Sequence, residues 1–122
     1  MAGELQSLTV TGTNCWTQTW DTVAGWVEAV VVEAVTASST GDINVVFDPT
    51  LSALPEVTIV SLSSSAGDST IHPRVQCQNT SGSNLTNDYT RIPLVDGKVQ
   101  VRVTAANTNA MVRVVKLIWD SM

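Results

Sequence analysis

The chain has 122 residues, a formal net charge of −5, a pI near 4.5 and only 14% charged residues. One domain of this length buries about two-thirds of its unfolded surface, so it can hold a full hydrophobic core. An acidic chain lacks the basic stripe that phosphate contacts need, which argues against nucleic acid. No apolar run approaches the roughly 20 residues of a membrane-spanning helix.

Leu5–Thr11 and Cys15–Trp20 read as two strands separated by Thr11-Gly12-Thr13-Asn14. Residues 1–14 hold few apolar side chains and form an N-terminal arm or an edge strand; 15–122 make a single β domain. Met1–Glu4 has neither a basic flank nor an apolar stretch, so no secretion signal is expected. Trp26–Ala37 has the length and Ala/Glu content of a helix, but Val27, Val30, Val31, Val32 and Val35 favour a long strand. A turn over 36–42 leads into Ile43–Phe47, a short strand stopped by Asp48-Pro49. Glu56–Leu62 is another, ending in the serine run Ser63–Ser65.

Ile71–Gln78 alternates, with Ile71, Val75 and Cys77 predicted to face inward and Cys77 to be buried. Pro73 cannot donate to a ladder and places this strand at an edge. The clearest signal is Lys98–Thr104, where Val99, Val101 and Val103 share one face. A turn at 105–109 returns the chain into Met111–Trp119. There the apolar parity changes, and a β-bulge at Val114-Val115 would keep one face buried and Arg113 outside. The fold class is therefore all-β: an antiparallel β-sandwich or small β-barrel of about seven to nine strands.

Charge is distributed unevenly along this pattern. The first 73 residues carry eight carboxylates and no Lys or Arg, a formal −8, while the remainder carries +3. Such halves pair within one fold or between copies in an assembly. Cys15 and Cys77 stand 62 positions apart, which is not metal-ligand spacing, and free thiols are expected.

No cluster of residues announces catalysis. The one histidine, His72, excludes a two-histidine metal site and leaves a Ser/His/Asp triad without a supporting motif. Paired carboxylates for glycoside hydrolysis would have to come from distant strands, and nothing in the sequence favours them. Asp42-Ile43-Asn44 lacks the glycine and terminal Glu of a calcium loop. Asn79-Thr80-Ser81 and Asn84-Leu85-Thr86 fit the glycosylation pattern but read as polar loop. We therefore expect no enzyme, no catalytic or metal residues and no cofactor. Trp16, Trp20 and Trp26 fall within eleven residues, and Trp16 and Trp20 share strand parity. They serve core packing, a subunit interface or a sugar-stacking platform, and they are the interface candidates.

Pro73-Arg74-Val75-Gln76, Asn84-Leu85-Thr86 and Arg91-Ile92-Pro93-Leu94-Val95-Asp96-Gly97-Lys98-Val99-Gln100-Val101 resemble small β-rich virion proteins of tailed bacteriophages, of the capsid decoration (cement) type. The likeness covers about residues 71–119, and its motif is a Pro-Leu-x-Asp-Gly turn into an alternating strand. It implies a structural protein on the capsid surface of a virion assembled in the host cytoplasm. The major capsid protein would be its partner and a homotrimer its working form, with neither nucleic acid nor membrane. It implies no site residues. The alternative is a carbohydrate- or receptor-binding β-sandwich module of a tail or fibre, with Trp16 and Trp20 as platform.

Overall fold

The computed structural model describes residues 3–19, 22–35, 40–51, 53–65, 67–105 and 111–121. These form ten strands: β1 (Gly3–Gly12), β2 (Asn14–Gln18), β3 (Val23–Ala34), β4 (Gly41–Pro49), β5 (Val57–Ser65), β6 (Ser69–Ile71), β7 (Arg74–Gln78), β8 (Asn84–Arg91), β9 (Pro93–Ala105) and β10 (Met111–Ser121). All pairings are antiparallel, and the described residues contain no helix. The segment that balanced between helix and strand is β3, where its run of β-branched residues is extended.

The main sheet runs β1-β10-β3-β9-β4-β5, with β2 also on β9 and β6 also on β3. Two strands change partners along their length, and this folds the sheet into two layers. β3 pairs β9 through Val23–Trp26, then lies between β10 and β6. β9 pairs β3 through Pro93–Gly97, then lies between β4 and β2. One layer is thus β1-β10-β3-β6 and the other β2-β9-β4-β5, joined where β3 meets β9. The sheet does not close into a barrel.

Alternation places the core between the layers. Val27, Val30 and Val32 of β3 meet Ile43, Val45 and Phe47 of β4 and Val99, Val101 and Val103 of β9, all at most 1% exposed. Burying each such side chain is worth about 1.5–3 kcal/mol. β1 contributes Leu8 and Val10 and is an edge strand along its whole length. At Gly25, φ is 145° and a Cβ would collide with the Asp120 carbonyl. Only glycine allows β3 and β10 to approach so closely there.

Three expectations change in three dimensions. The bulge lies not at Val114-Val115 but at Glu28 of β3, where Ile118↔Ala29 is followed by Trp119↔Val27. β10 therefore keeps one parity, and Met111, Arg113, Val115 and Leu117 all point inward. Arg113 is 0% exposed; its Nη1 donates to the Val112 carbonyl at 3.0 Å.

Second, Ile71–Gln78 is not one strand. Pro73, lacking an N–H, divides it into β6 on the main sheet and β7 in a separate two-stranded sheet with β8. Val75 is exposed and Cys77 only half-buried, because no second layer covers β7. Third, the Pro-Leu-x-Asp-Gly segment is part of β9 rather than a turn before it. Asp96 takes φ 119° inside the continuous strand. The expected turns at 36–42 and 105–109 fall largely on residues outside those described.

A candidate binding cleft between two strand edges

β1 turns into β2 through Gly12-Thr13, and the two strands are stitched at that end. The Cys15 thiol donates to the Thr11 carbonyl at 3.3 Å. Gly12 has φ 152°, and a Cβ there would stand 2.6 Å from Cys15 Sγ, so glycine is required for the stitch. Away from the turn the strands part, each held by a different neighbour. Ser7–Thr9 stays on β10, while Trp16–Gln18 stays on β9, and the Thr19 N–H continues that ladder to the Val99 carbonyl at 3.0 Å.

The gap is an open cleft of about 490 Å³. Its walls come from both faces of each strand: Ser7, Thr9, Trp16 and Gln18 from outside, Leu8, Thr17 and Thr19 from inside, with Lys98 of β9. Trp16 is 59% exposed, because Cys15 and Thr17 take the inward parity of β2. A core role for Trp16 is thereby excluded.

Trp16 and Trp26 do not share a surface in this fold. Trp16 pairs Arg102 and Trp26 pairs Pro93, at opposite ends of β9. Nine residues of extended chain separate those positions, roughly 30 Å. Trp26 is half-buried on the outward parity of β3, and Trp20 lies outside the described residues. Sequence proximity was a poor guide, because β2 and β3 enter different layers.

The segregated charges meet within the chain. Arg102 binds Glu56 at 3.1 Å and Lys116 binds Glu33 at 2.7 Å. Glu28 receives Arg74 at 3.5 Å and Arg91 at 3.3 Å, and Arg91 also pairs with Asp120. Four of these five ion pairs join a carboxylate of the first 73 residues to a base of the remainder. The hydrogen bond to Asp120, with the charge of Asp120 and the hydrogen bond and charge of Glu28, raises the Arg91 pKa against partial desolvation. Burial lowers that of Arg113, with Asp68 opposing.

Arg74 and Arg91 face each other as the first register pair of the β7–β8 ribbon. Their shared hold on Glu28 fixes the base of the ribbon to the bulge in β3. His72 is exposed, its Nδ1 3.4 Å from the Glu28 carbonyl, and it belongs to this anchoring. The described residues contain no group of three His, Cys, Asp or Glu placed to hold a metal ion.

A second surface escaped the sequence reading. Leu51, Leu54 and Val95 are 63%, 41% and 55% exposed and line a shallow hollow of about 310 Å³ with Thr50 and Asp96. The Thr50 N–H donates to the Asp96 carbonyl at 2.9 Å and ties the loop after β4 to the kink in β9. The signal was present in Leu51 and Leu54, two leucines that fall between strand segments. Comparison of the chain with protein-family models, with curated proteins and with solved structures gives no match.

Proposed function

We propose that this chain is a non-enzymatic structural protein of a phage virion, which binds the outer capsid lattice and stabilises the head. The observation that carries the reading is the exposed apolar group Leu51, Leu54 and Val95 on a surface with few charges. Exposed apolar patches mark contact surfaces, and hydroxyls and amides desolvate more cheaply than Lys and Glu. The resemblance over residues 71–119 supplies the capsid as the partner and the trimer as the oligomer. Because Arg74, Arg91, Arg102 and Lys116 already pair with carboxylates of their own chain, we assign the contacts between copies to apolar side chains rather than to the charge segregation. Binding across several capsid subunits then stabilises the mature shell by mass action and multivalency.

Sedimentation of the purified protein, alone and with expanded capsids of a tailed phage, tests this. A trimer that co-sediments with capsids is expected, and Leu51→Asp with Val95→Asp should abolish co-sedimentation while the β spectrum persists. A monomer at micromolar concentration that binds no capsid lattice would sink the reading.

A second reading, a carbohydrate- or receptor-binding module of a tail or fibre, is favoured by one observation. Trp16 stands exposed beside Ser7, Thr9 and Gln18, an indole face with hydroxyl and amide partners. Saturation-transfer NMR with oligosaccharides, showing contact at the Trp16 indole that Trp16→Ala removes, would move this reading ahead.

A further inference from the structure

We infer that the cleft between β1 and β2 is a strand-acceptor slot, in which an extended segment of a partner polypeptide inserts and hydrogen-bonds to both edges. The inference rests on strand topology and holds whether or not the protein belongs to a virion. Among the described residues β1 pairs only β10 and β2 only β9. In a strand, successive backbone N–H and C=O pairs point to alternate edges. The free edges of β1 and β2 therefore aim their main-chain groups into the same gap. A strand placed there gains a ladder on each side and closes the sheet between the two layers.

The lining distinguishes such a slot from a surface hollow. Outward Ser7, Thr9, Trp16 and Gln18 and inward Leu8, Thr17 and Thr19 all border it, so the gap runs through the thickness of the sheet.

The edges themselves are unguarded. Proteins protect free edges with charge, proline or bulges. β2 carries no charged residue, β1 only Glu4 at its start, and neither contains proline or a register shift. β5, at the other end of the sheet, has two register shifts against β4, so it is a guarded edge. The occupant's chemistry follows from the walls. Hydroxyls and an amide line the slot and Leu8 floors it; among the described residues Lys98 is the charged side chain at its border. They suit a neutral segment of small and β-branched residues. Recognition is by main chain, so sequence selectivity is low and Trp16 covers the inserted segment from outside.

The test is a titration of the full chain with Ac-Val-Thr-Val-Thr-Val-NH2, followed by backbone amide NMR. The expected result is millimolar binding that shifts amides of Ser7–Thr9 and Trp16–Gln18 and leaves β5 unmoved. The same peptide N-methylated at alternate residues should bind at least tenfold more weakly, and Trp16→Ala should weaken binding several-fold with the fold intact. Chitotriose and maltotriose serve as competing probes. A saccharide that shifts the Trp16 indole while the peptide is silent would overturn the slot in favour of a sugar site. Peptide shifts confined to β5, or none at 5 mM, would also overturn it.

Discussion

β9 and the β7–β8 ribbon start from the same kind of sequence and reach opposite environments. Val99, Val101 and Val103 alternate with polar residues and are each 1% exposed. Val75 and Cys77 alternate as regularly, yet Val75 is 39% exposed and Cys77 only half-buried. Alternation states which side chains share a face and is silent on whether anything covers that face. β9 has β4 on one side, β2 and β3 on the other, and a second layer over its inner face. The ribbon has only itself. All of β8 up to Thr90 is exposed on both faces, and a two-stranded hairpin of this kind is marginal alone. What keeps it in place is its base, where Arg74 and Arg91 hold Glu28 and Asp120.

The largest test of this contrast is a pair of truncations measured by denaturant unfolding. Phe47, 1% exposed in the core, should cost about 3–5 kcal/mol when changed to Ala. Val75→Ala should cost less than about 1 kcal/mol, although its place in the sequence pattern is equivalent. A Val75 cost near that of a core valine would mean that the ribbon is packed, and the contrast would fail.

A smaller effect is expected inside the core at Arg113. A buried cation is retained at a desolvation cost, and an apolar residue of similar reach removes that cost. Asp68 is not left stranded by the change, since it is exposed and accepts the Ala34 N–H at 2.8 Å. Arg113→Met should therefore hold or raise stability, by up to about 2 kcal/mol. A loss above that range would assign the guanidinium a necessary structural role.

These residues also show where sequence reasoning stops. The eight segments that alternate or are rich in β-branched residues all became strands, because two packed layers reward that pattern locally. Two further strands came from features without such a signal. Pro73 divided one segment in two, and Asn84–Arg91, polar on both faces, is a strand only because β7 pairs it. Arg113 was misplaced because charge was expected to override parity, whereas the bulge at Glu28 left β10 in one phase. The cleft was not legible at all. Trp16 was recognisable as an anchor, but an unpaired edge is defined by which strands are absent beside it, and only topology supplies that. The separation of Trp16 from Trp26 was hidden for the converse reason, since these sequence neighbours pair with opposite ends of β9.

Glu28→Gln should sharpen the contrast by loosening the ribbon and leaving the body intact. Both of its ion pairs are at the surface, with side chains 32–43% exposed. Such pairs are worth about 0.2–1 kcal/mol each and are screened by salt. The global loss should be about 0.5–1 kcal/mol. Hydrogen exchange should accelerate in β7 and β8, while β4 and β9 keep their protection. In wild type, 1 M NaCl should reproduce the local effect. Exchange that rises equally in ribbon and body would mean that they open as one unit.

The finest discrimination comes from the two thiols, which are both free and both half-buried but sit on opposite sides of the comparison. Cys15 packs against the core, and its S–H is engaged with the Thr11 carbonyl. For a bulky reagent to reach it, β2 must leave β9 and the stitch to β1 must break. Cys77 lies in the ribbon, where the pairing to β8 already shifts register between Gln76 and Gln78. Local fraying exposes it without disturbing the core. A difference in opening free energy of about 1.4 kcal/mol gives a tenfold difference in rate, so Cys77 should react with a bulky maleimide at least tenfold faster than Cys15. Time-resolved peptide mapping by mass spectrometry reads both sites in one sample. Glu28→Gln should accelerate Cys77 further and leave Cys15 unchanged. Equal rates at the two sites would show that ribbon and sandwich open together, and the distinction between a covered and an uncovered alternating strand would not hold here.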